Sequence, residues 1–243
     1  MLELENHLRE LGLKEGQDLI VHSALMNFGV IEGGVKTVYH AIRNVVGDQA
    51  TIAVPTYLVG TKPELIFDPK VTPSHACGVF SEYIRNKKGA MRSLCPLHNH
   101  SAIGSKAQLL RTVDGSVSMG PGSDFWVLHE AGFGSLLLGC PFSDGATFSI
   151  HLEAVVQVPF RKWIDLKRTI VLEDGSHKVI RCKYYVRKSD EFVEDLSPIK
   201  RNLEELGIIR EAHLRKASSL FIPTEGYTAT LDLFVSNPTV TLV

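Results

Sequence analysis

Three consecutive stretches constrain the fold more than anything else in this 243-residue chain. DLIVHSAL (18–25) is a short apolar run suited to a buried strand. GGVKTVYHAIRNVVG (33–47) puts Val35, Val38, Ile42 and Val45 at helical spacing, with Gly47 as the stop. TIAV (51–54) is a second strand, halted by Pro55. Strand, helix and strand, with both strands apolar throughout, make a parallel β-α-β crossover whose ligand-facing loops follow the strands.

Around this unit, LELENHLRELGL predicts an N-terminal helix fraying at Gly12, and residues 55 to 77, with three prolines beyond Pro55, predict a long functional loop. GVFSEYIRNKKG and SDFWVLHEAG predict helices, the second capped by Ser123 or Asp124. SLLLGC predicts a buried strand and ATFSIHLEAVVQV a helix. From Arg168 the character changes. RTIVLEDGSHKVIRCKYYVR predicts a strand, an Asp-Gly turn and a strand, and SPIKRNLEELG a Ser-capped helix with Pro198 at its first position. The expected architecture is a single mixed-sheet α/β layer domain over 1–243, carrying a smaller antiparallel β section near the C-terminus.

Lys plus Arg number 26 against 27 for Asp plus Glu, so no global field draws the chain to nucleic acid or to an anionic membrane, and a charged ligand must be met locally. The N-terminus lacks a basic start and an apolar core, and no apolar run approaches the ~18 residues of a membrane span, so a cytoplasmic location is expected. Four cysteines (77, 95, 140 and 182), none in a CxxC pair, read as reduced thiols.

Three chemistries compete. RSLCPLHNHSAIG (92–104) gathers Cys95, His98 and His100, with His75 and Cys77 upstream, and suggests zinc. One close group is less than a structural zinc site shows, and loop imidazoles beside a buried thiol explain it as well. No G-x-S-x-G elbow or G-x-G-x-x-G loop occurs. VHSALMNFGVIEGG places Ser23, Gly29, Gly33 and Gly34 where a strand gives way to a helix, which suits phosphate binding or simply a glycine-rich turn. His151 and Glu153, in TFSIHLE, are a base and a carboxylate or else structural residues.

In order, VHSALMNFGVIEGG, TIAVPTY, FDP, TPSHACGVFSEYIR, RSLCPLHNHSAIG, GPGSDFWVLHEAG, LLLGC and SIHLEAVVQVPFRKW make the chain similar to the aminoglycoside 3-N-acetyltransferase family of antibiotic N-acetyltransferases, over roughly 15 to 163. The resemblance implies that family's three-layer mixed-sheet sandwich, with about 1–163 as the cofactor and catalytic core and about 164–243 as a substrate-side β/α section, and acetyl-CoA as cosubstrate, with no metal. It implies cofactor contacts from Ser23, Ala24, Phe28, Gly29, Val30, Gly33, Gly34, Val35, Arg92 and Ser93. It also implies direct acetyl transfer to an amine, with His151 as general base, Glu153 beside it, and Thr56 as an oxyanion donor. Tyr57, Asp68, Glu82, His98 and Arg161 would meet the substrate. Two departures stand out: the family's His-x-x-Glu appears as His151-Leu152-Glu153, and its Arg-Ser-x-His-Pro-x-His-Ser has Cys95 at the first histidine and Asn99 at the serine.

The expected activity is therefore acetyl transfer to an amino sugar, either aminoglycoside-type or nucleotide-linked. The alternatives are an inactive acyl-CoA binding protein and a zinc hydrolase built on Cys95, His98 and His100. The net basic runs PFRKW, DLKRT and VIRCKYYVRK favour an anionic or neutral monoamino sugar, met by Arg161, Lys162, Arg181 or Lys183. A small-molecule amine is the only partner class expected, with allowance for a homodimer.

Overall fold

The structure is a computed structural model describing residues 1–60, 62 and 64–243, with His75 described by its backbone alone. Pro63 of the proline-containing loop and the side chain of His75 lie outside the described residues. Helix α1 (Leu2–Glu10) leads into β1 (Leu19–Ser23), α2 (Gly34–Val46) and β2 (Ile52–Pro55), the crossover expected. Next come β3 (Ile66–Phe67), α3 (Gly78–Arg85), β4 (Met91–Arg92), β5 (His100–Ile103), α4 (Asp124–Glu130), β6 (Gly134–Leu138), α5 (Phe142–Gly145) and α6 (Phe148–Val156). The chain ends with β7 (Arg161–Val171), β8 (His177–Arg187), α7 (Ser197–Glu205), β9 (Arg210–Leu214), β10 (Ala217–Ile222) and α8 (Thr224–Ser236).

Seven strands form the main sheet in the order β4-β5-β2-β1-β6-β10-β9. Its centre is parallel, β1 pairing with both β2 and β6, and the flanking pairs are antiparallel. Both faces are covered, which is why the central strands read as unbroken apolar runs. Leu19, Val21, Leu136 and Leu138 pack with Leu4, Leu8, Val38, Ile42 and Phe80 of α1, α2 and α3. The alternate residues Ile20, Ala53 and Leu137 pack with Phe125, Phe148, Leu152, Tyr227 and Phe234 of α4, α6 and α8. Each such side chain withdrawn from water contributes about 1.5–3 kcal/mol before the entropy of ordering is subtracted. Among the described residues no helix is long and apolar enough to cross a membrane.

The second sheet, β3-β7-β8, departs from expectation in three ways. Its hairpin strand begins at Arg161, not Arg168. The charges of RKWIDLK hide a strand in which Trp163, Ile164 and Leu166 are half-buried while Lys162, Asp165 and Lys167 stay exposed. The β7–β8 pairing is antiparallel, as predicted, but β3 joins β7 in parallel, so the small sheet draws on residues from the long loop. And the C-terminal section is not a unit apart, because β9 and β10 return to the main sheet. There Ala212, Ala217 and Phe221 share a core with Leu4 and Leu8 of α1, His7 Nε2 bonds Ser219 Oγ at 2.9 Å, and Arg215 pairs with Glu3 at 3.2 Å.

The helix caps fall close to prediction. Ser123 Oγ accepts from the Trp126 N–H at 3.3 Å, capping α4 and freeing Asp124 for other contacts. In α7, Ser197 is the first helical residue rather than the cap. Asp195 accepts from the Ser197 N–H at 2.9 Å, Leu196 takes the cap position, and among the described residues no side chain there accepts from the next N–H groups of the helix.

Candidate active site

Strands β1, β2 and β6 all end at the same edge of the sheet, where the chain leaves β1 toward β2 on one side and β6 lies on the other. In an open α/β sheet this switch point is where ligands bind. On the α2 side the wall is backbone. Gly29, Gly33 and Gly34 have φ of +70°, +75° and +59°, and no heavy atom lies within 4 Å of a Cβ placed on Gly29 or Gly34. A ligand can therefore come against the main chain there. The first turn of α2 carries no acidic residue, so its free N–H groups suit an anion. Phe28 is buried beneath this loop against His7, while Val30 is exposed and Val35 half-buried. Arg215 Nη1 donates to the carbonyls of Phe28 and Val30 at 3.1 and 2.7 Å, fixing the loop from below. Ala24 continues the β1–β6 ladder, its N–H reaching Leu138 O at 3.0 Å. Ser23, half-buried at the end of β1, lies close to Gly78 at the start of α3.

On the α4–α6 side a chain of side-chain contacts crosses the crevice. His22 Nε2 is 2.9 Å from Thr147 Oγ1, which is 3.2 Å from the Tyr57 hydroxyl, which is 3.3 Å from His100 Nε2. His100 Nδ1 stands 3.3 Å from Asp124 Oδ2. That carboxylate also accepts from the His100 backbone N–H at 2.6 Å and from Ser93 Oγ at 2.7 Å. His22, His100 and Asp124 are buried; Tyr57 and Thr147 are partly exposed. Burial pushes the Tyr57 phenol well above its ordinary range, and pushes the imidazoles of His22 and His98 down to about 3. His98 stands edge-on to Tyr57 and tilted against Tyr184 of β8, with ring centroids 5.1 and 5.6 Å apart.

Several residues expected in the site are occupied elsewhere. His151 lies on α6 but is turned into the core, parallel to Phe125 at 5.8 Å and edge-on to His129 at 5.8 Å. Its Nδ1 accepts from the Gly120 N–H at 3.2 Å, so the neutral ring carries its proton on Nε2, which is buried without a partner. No lone pair is left for an amine proton, and burial drops the ring's pKa to about 3. Glu153, two residues on, points away from His151, as i and i+2 on a helix must. Its carboxylate meets Arg161 Nε at 2.7 Å and Thr241 Oγ1 at 3.2 Å. Burial raises that carboxyl to about 7 against the pull of the Arg161 guanidinium. Arg161 also pairs with Glu194, so it offers nothing to a substrate anion, while Lys162, Arg181 and Lys183 are solvated.

Thr56 is fully buried, its hydroxyl 2.7 Å from Asn99 Oδ1 and 3.2 Å from Ser101 Oγ, and so is closed to an oxyanion. Arg92 reaches Asn99 Oδ1 at 2.7 Å, Thr56 O at 2.8 Å and Thr72 O, which commits its guanidinium to the protein. Ser93 serves Asp124. Burial alone would raise the Glu82 carboxyl, but hydrogen bonds from Arg85 and Ser74 hold it at about 2. Asp68 closes a local turn through the N–H of Lys70 at 2.8 Å. Cys95, His98 and His100 do not converge: Cys95 packs with Leu97 and Cys182, His98 faces two tyrosines, and His100 bonds Asp124. Among the described residues no group of three or more His, Cys, Asp or Glu is arranged to hold a metal.

A model of the aminoglycoside 3-N-acetyltransferases matches residues 20–232. The chain belongs to that family. It is 30% identical to aminoglycoside N(3)-acetyltransferase VII of Streptomyces paromomycinus over 70% of this chain and 65% of the relative. It is 25% identical to aminoglycoside N(3)-acetyltransferase IX of Micromonospora chalcea over 96% of this chain and 86% of that one. The chain thus spans 65% of the length of the Streptomyces paromomycinus relative, and the same share of a Salmonella enzyme, aminoglycoside N(3)-acetyltransferase III, at 27% identity. The fold superposes on the coenzyme A complex of AAC-IIIb with a TM-score of 0.84 at 23% identity, covering 97% of this chain and 95% of that one. For the YokD protein of Bacillus subtilis the TM-score is 0.80 at 22% identity, over 98% and 94%.

Counting the aminoglycoside 3-N-acetyltransferase pattern His-x-x-Glu back from Glu153 puts the histidine position on Ile150, not His151. On α6 Ile150 is partly exposed and His151 is buried. His22, His100, Asp124 and Thr147 were not picked out from sequence as a catalytic set. The available signals were His22 ending the first strand just before the glycine loop, and an aspartate directly after the cap serine in GPGSDF.

Proposed function

We propose that the chain is an N-acetyltransferase that moves acetyl from acetyl-CoA to the amine of a small amino sugar. The observation that carries this is the pair of features at the ends of β1, β2 and β6. Glycine-opened backbone and the N-terminus of α2 form one wall, and the His22–Thr147–Tyr57–His100–Asp124 chain forms the other. Phosphate and pantetheine groups suit the first wall, with Ser23, Ala24 and the backbone of residues 28–35 as the surface they would meet. Acetyl-CoA supplies an activated carbonyl. Direct transfer then asks the second wall to orient an unprotonated amine and receive its proton.

The acceptor is read from charge. A polycationic aminoglycoside needs several free carboxylates. Here Glu82 is held by Arg85 and Ser74, Glu153 by Arg161 and Thr241, and Asp124 lies buried behind His100. An acceptor with one amine, neutral or anionic elsewhere, fits these surroundings better. The test is thiol release from acetyl-CoA against kanamycin-type polyamines and nucleotide-linked amino sugars at equal concentration. Higher kcat/KM for the polyamines refutes the acceptor class. The second reading, a coenzyme A binding protein without turnover, is favoured by Ile150 at the family's histidine position, and binding without thiol release across the whole amine panel would establish it.

A further inference from the structure

We propose that Tyr57, backed by the buried His100–Asp124 pair, takes the proton of the attacking amine in this chain, with Thr147 and His22 holding the phenol oxygen in line. The inference rests on the transfer reading above and concerns what replaces a helix histidine where α6 presents Ile150.

The geometry fixes the direction of each hydrogen bond. Asp124 Oδ2 already accepts from the His100 N–H and from Ser93 Oγ, so it is anchored on two sides and faces His100 Nδ1. A carboxylate there holds the ring as the Nδ1–H tautomer, which leaves Nε2 as a bare lone pair. Among the described residues the polar atom placed against that lone pair is the Tyr57 hydroxyl, which must therefore donate to it. Its own oxygen then accepts from Thr147, whose oxygen accepts from His22 Nε2–H. Every proton in this ordering points along the chain toward Asp124, and the group left to receive one is the His100 ring, whose charged form the carboxylate stabilises. Only Tyr57 and Thr147 come partly to the surface, so the amine is met there. The phenol, raised by burial, does not survive as a free phenolate and passes protons in concert.

In the reaction the amine nitrogen attacks the thioester carbon. The C–N bond forms, the C–S bond breaks, and sulfur leaves with the electron pair as the thiolate of coenzyme A. The nitrogen's surplus proton goes to the Tyr57 oxygen as the phenol proton moves to His100 Nε2, giving an imidazolium beside Asp124. Release of that proton to the thiolate or to solvent restores the start. Tyr57 is the catalytic residue, and His100 and Asp124 act through it as positioning residues. The other titratable groups facing the pair are Cys77, Cys95, His98 and His22, with Arg161 at longer range near His98.

The experiment compares wild type with Tyr57→Phe, His100→Gln and His151→Gln, each first shown folded by its melting curve. Tyr57→Phe and His100→Gln should lower kcat by at least ~100-fold with KM for acetyl-CoA within about threefold. This split between kcat and KM, with both variants folded, is a change that a packing role would not cause. His151→Gln should keep turnover within about threefold. Independently of activity, ¹⁵N NMR of the free protein should show His100 as the Nδ1–H tautomer. An active wild type whose Tyr57→Phe variant retains more than a tenth of kcat, a His100 protonated on Nε2, or a folded His151→Gln variant losing ~100-fold overturns the proposal. A wild type that binds coenzyme A but acetylates no amine sinks the transfer reading itself, and this assignment with it.

Discussion

Lowering the pH should destabilise this protein steeply, and the slope follows from its buried imidazoles. Burial holds His22, His98 and His151 at about 3 in the folded chain, against an ordinary value of 6.5. Between those values the unfolded chain binds protons that the folded one refuses, so stability is full above about pH 6.5 and is lost as pH falls toward 3. Glu153 works the other way. Its folded carboxyl titrates at about 7 instead of 4.5, so between those values the folded chain holds a proton that the unfolded chain releases. Three protons one way and one the other leave a net two between about pH 6 and pH 5. That amounts to about 2.7 kcal/mol per pH unit, at about 1.4 for each proton. Below about pH 4.5 the Glu153 offset fades and the slope steepens to about 4 kcal/mol per unit from the three imidazoles alone; His7 and His129, also lowered by burial, and Glu82, held at about 2 by its hydrogen bonds, tilt the same way. Against the roughly 5–15 kcal/mol that holds a typical domain folded, about two pH units exhaust the lower end of the margin. Urea unfolding at about pH 6 and pH 5 measures the difference directly. A change below about 1 kcal/mol would mean that these rings are hydrated or already charged in the native state. His151→Gln should reduce the slope by about 1.4 kcal/mol per unit.

Arg161→Met should cost about 3–5 kcal/mol, seen as a lower Tm, because Glu153 and Glu194 lose their shared cation and Glu153 stays buried; a loss under about 1 kcal/mol would show the triad to be solvated. Cys95→Ser should fold with about 1–3 kcal/mol less stability, its hydroxyl entering an apolar pocket with Leu97 and Cys182, and metal analysis should find no stoichiometric zinc in the chelator-free wild type.

The frame of the fold was legible because its signals are local. Val38, Ile42 and Val45 face one core at helical spacing, Gly47 has the positive φ its stop requires, and the apolar runs of β1 and β6 are what strands covered on both faces demand. The hairpin's start was hidden because Arg161–Lys167 alternates charge with apolar residues on a half-solvated sheet. The candidate site was less legible, for a different reason. A histidine's role depends on what its two nitrogens meet. His151 meets Gly120 across a turn, and His100 meets an aspartate from α4, 24 residues on. Spacing along α6 could show that His151 and Glu153 diverge, but not that Glu153 would find Arg161 from β7. Arg161, expected to meet substrate, is spent in the same way on Glu153 and on Glu194, 33 residues on, whereas Asp68 and Glu82 find their partners close by in the sequence.

The contacts between α1 and the β9–β10 hairpin carry a consequence for biosynthesis. His7 and Ser219 are separated by 212 positions, and Leu4 and Leu8 share their core with Ala217 and Phe221. As the chain emerges from the ribosome, α1 appears 212 positions ahead of the strand it rests on and waits for its seat. Until then its leucines stay open to water or to a chaperone. Damage to β9 or β10 would therefore surface first as an unseated α1, where a protease would find it.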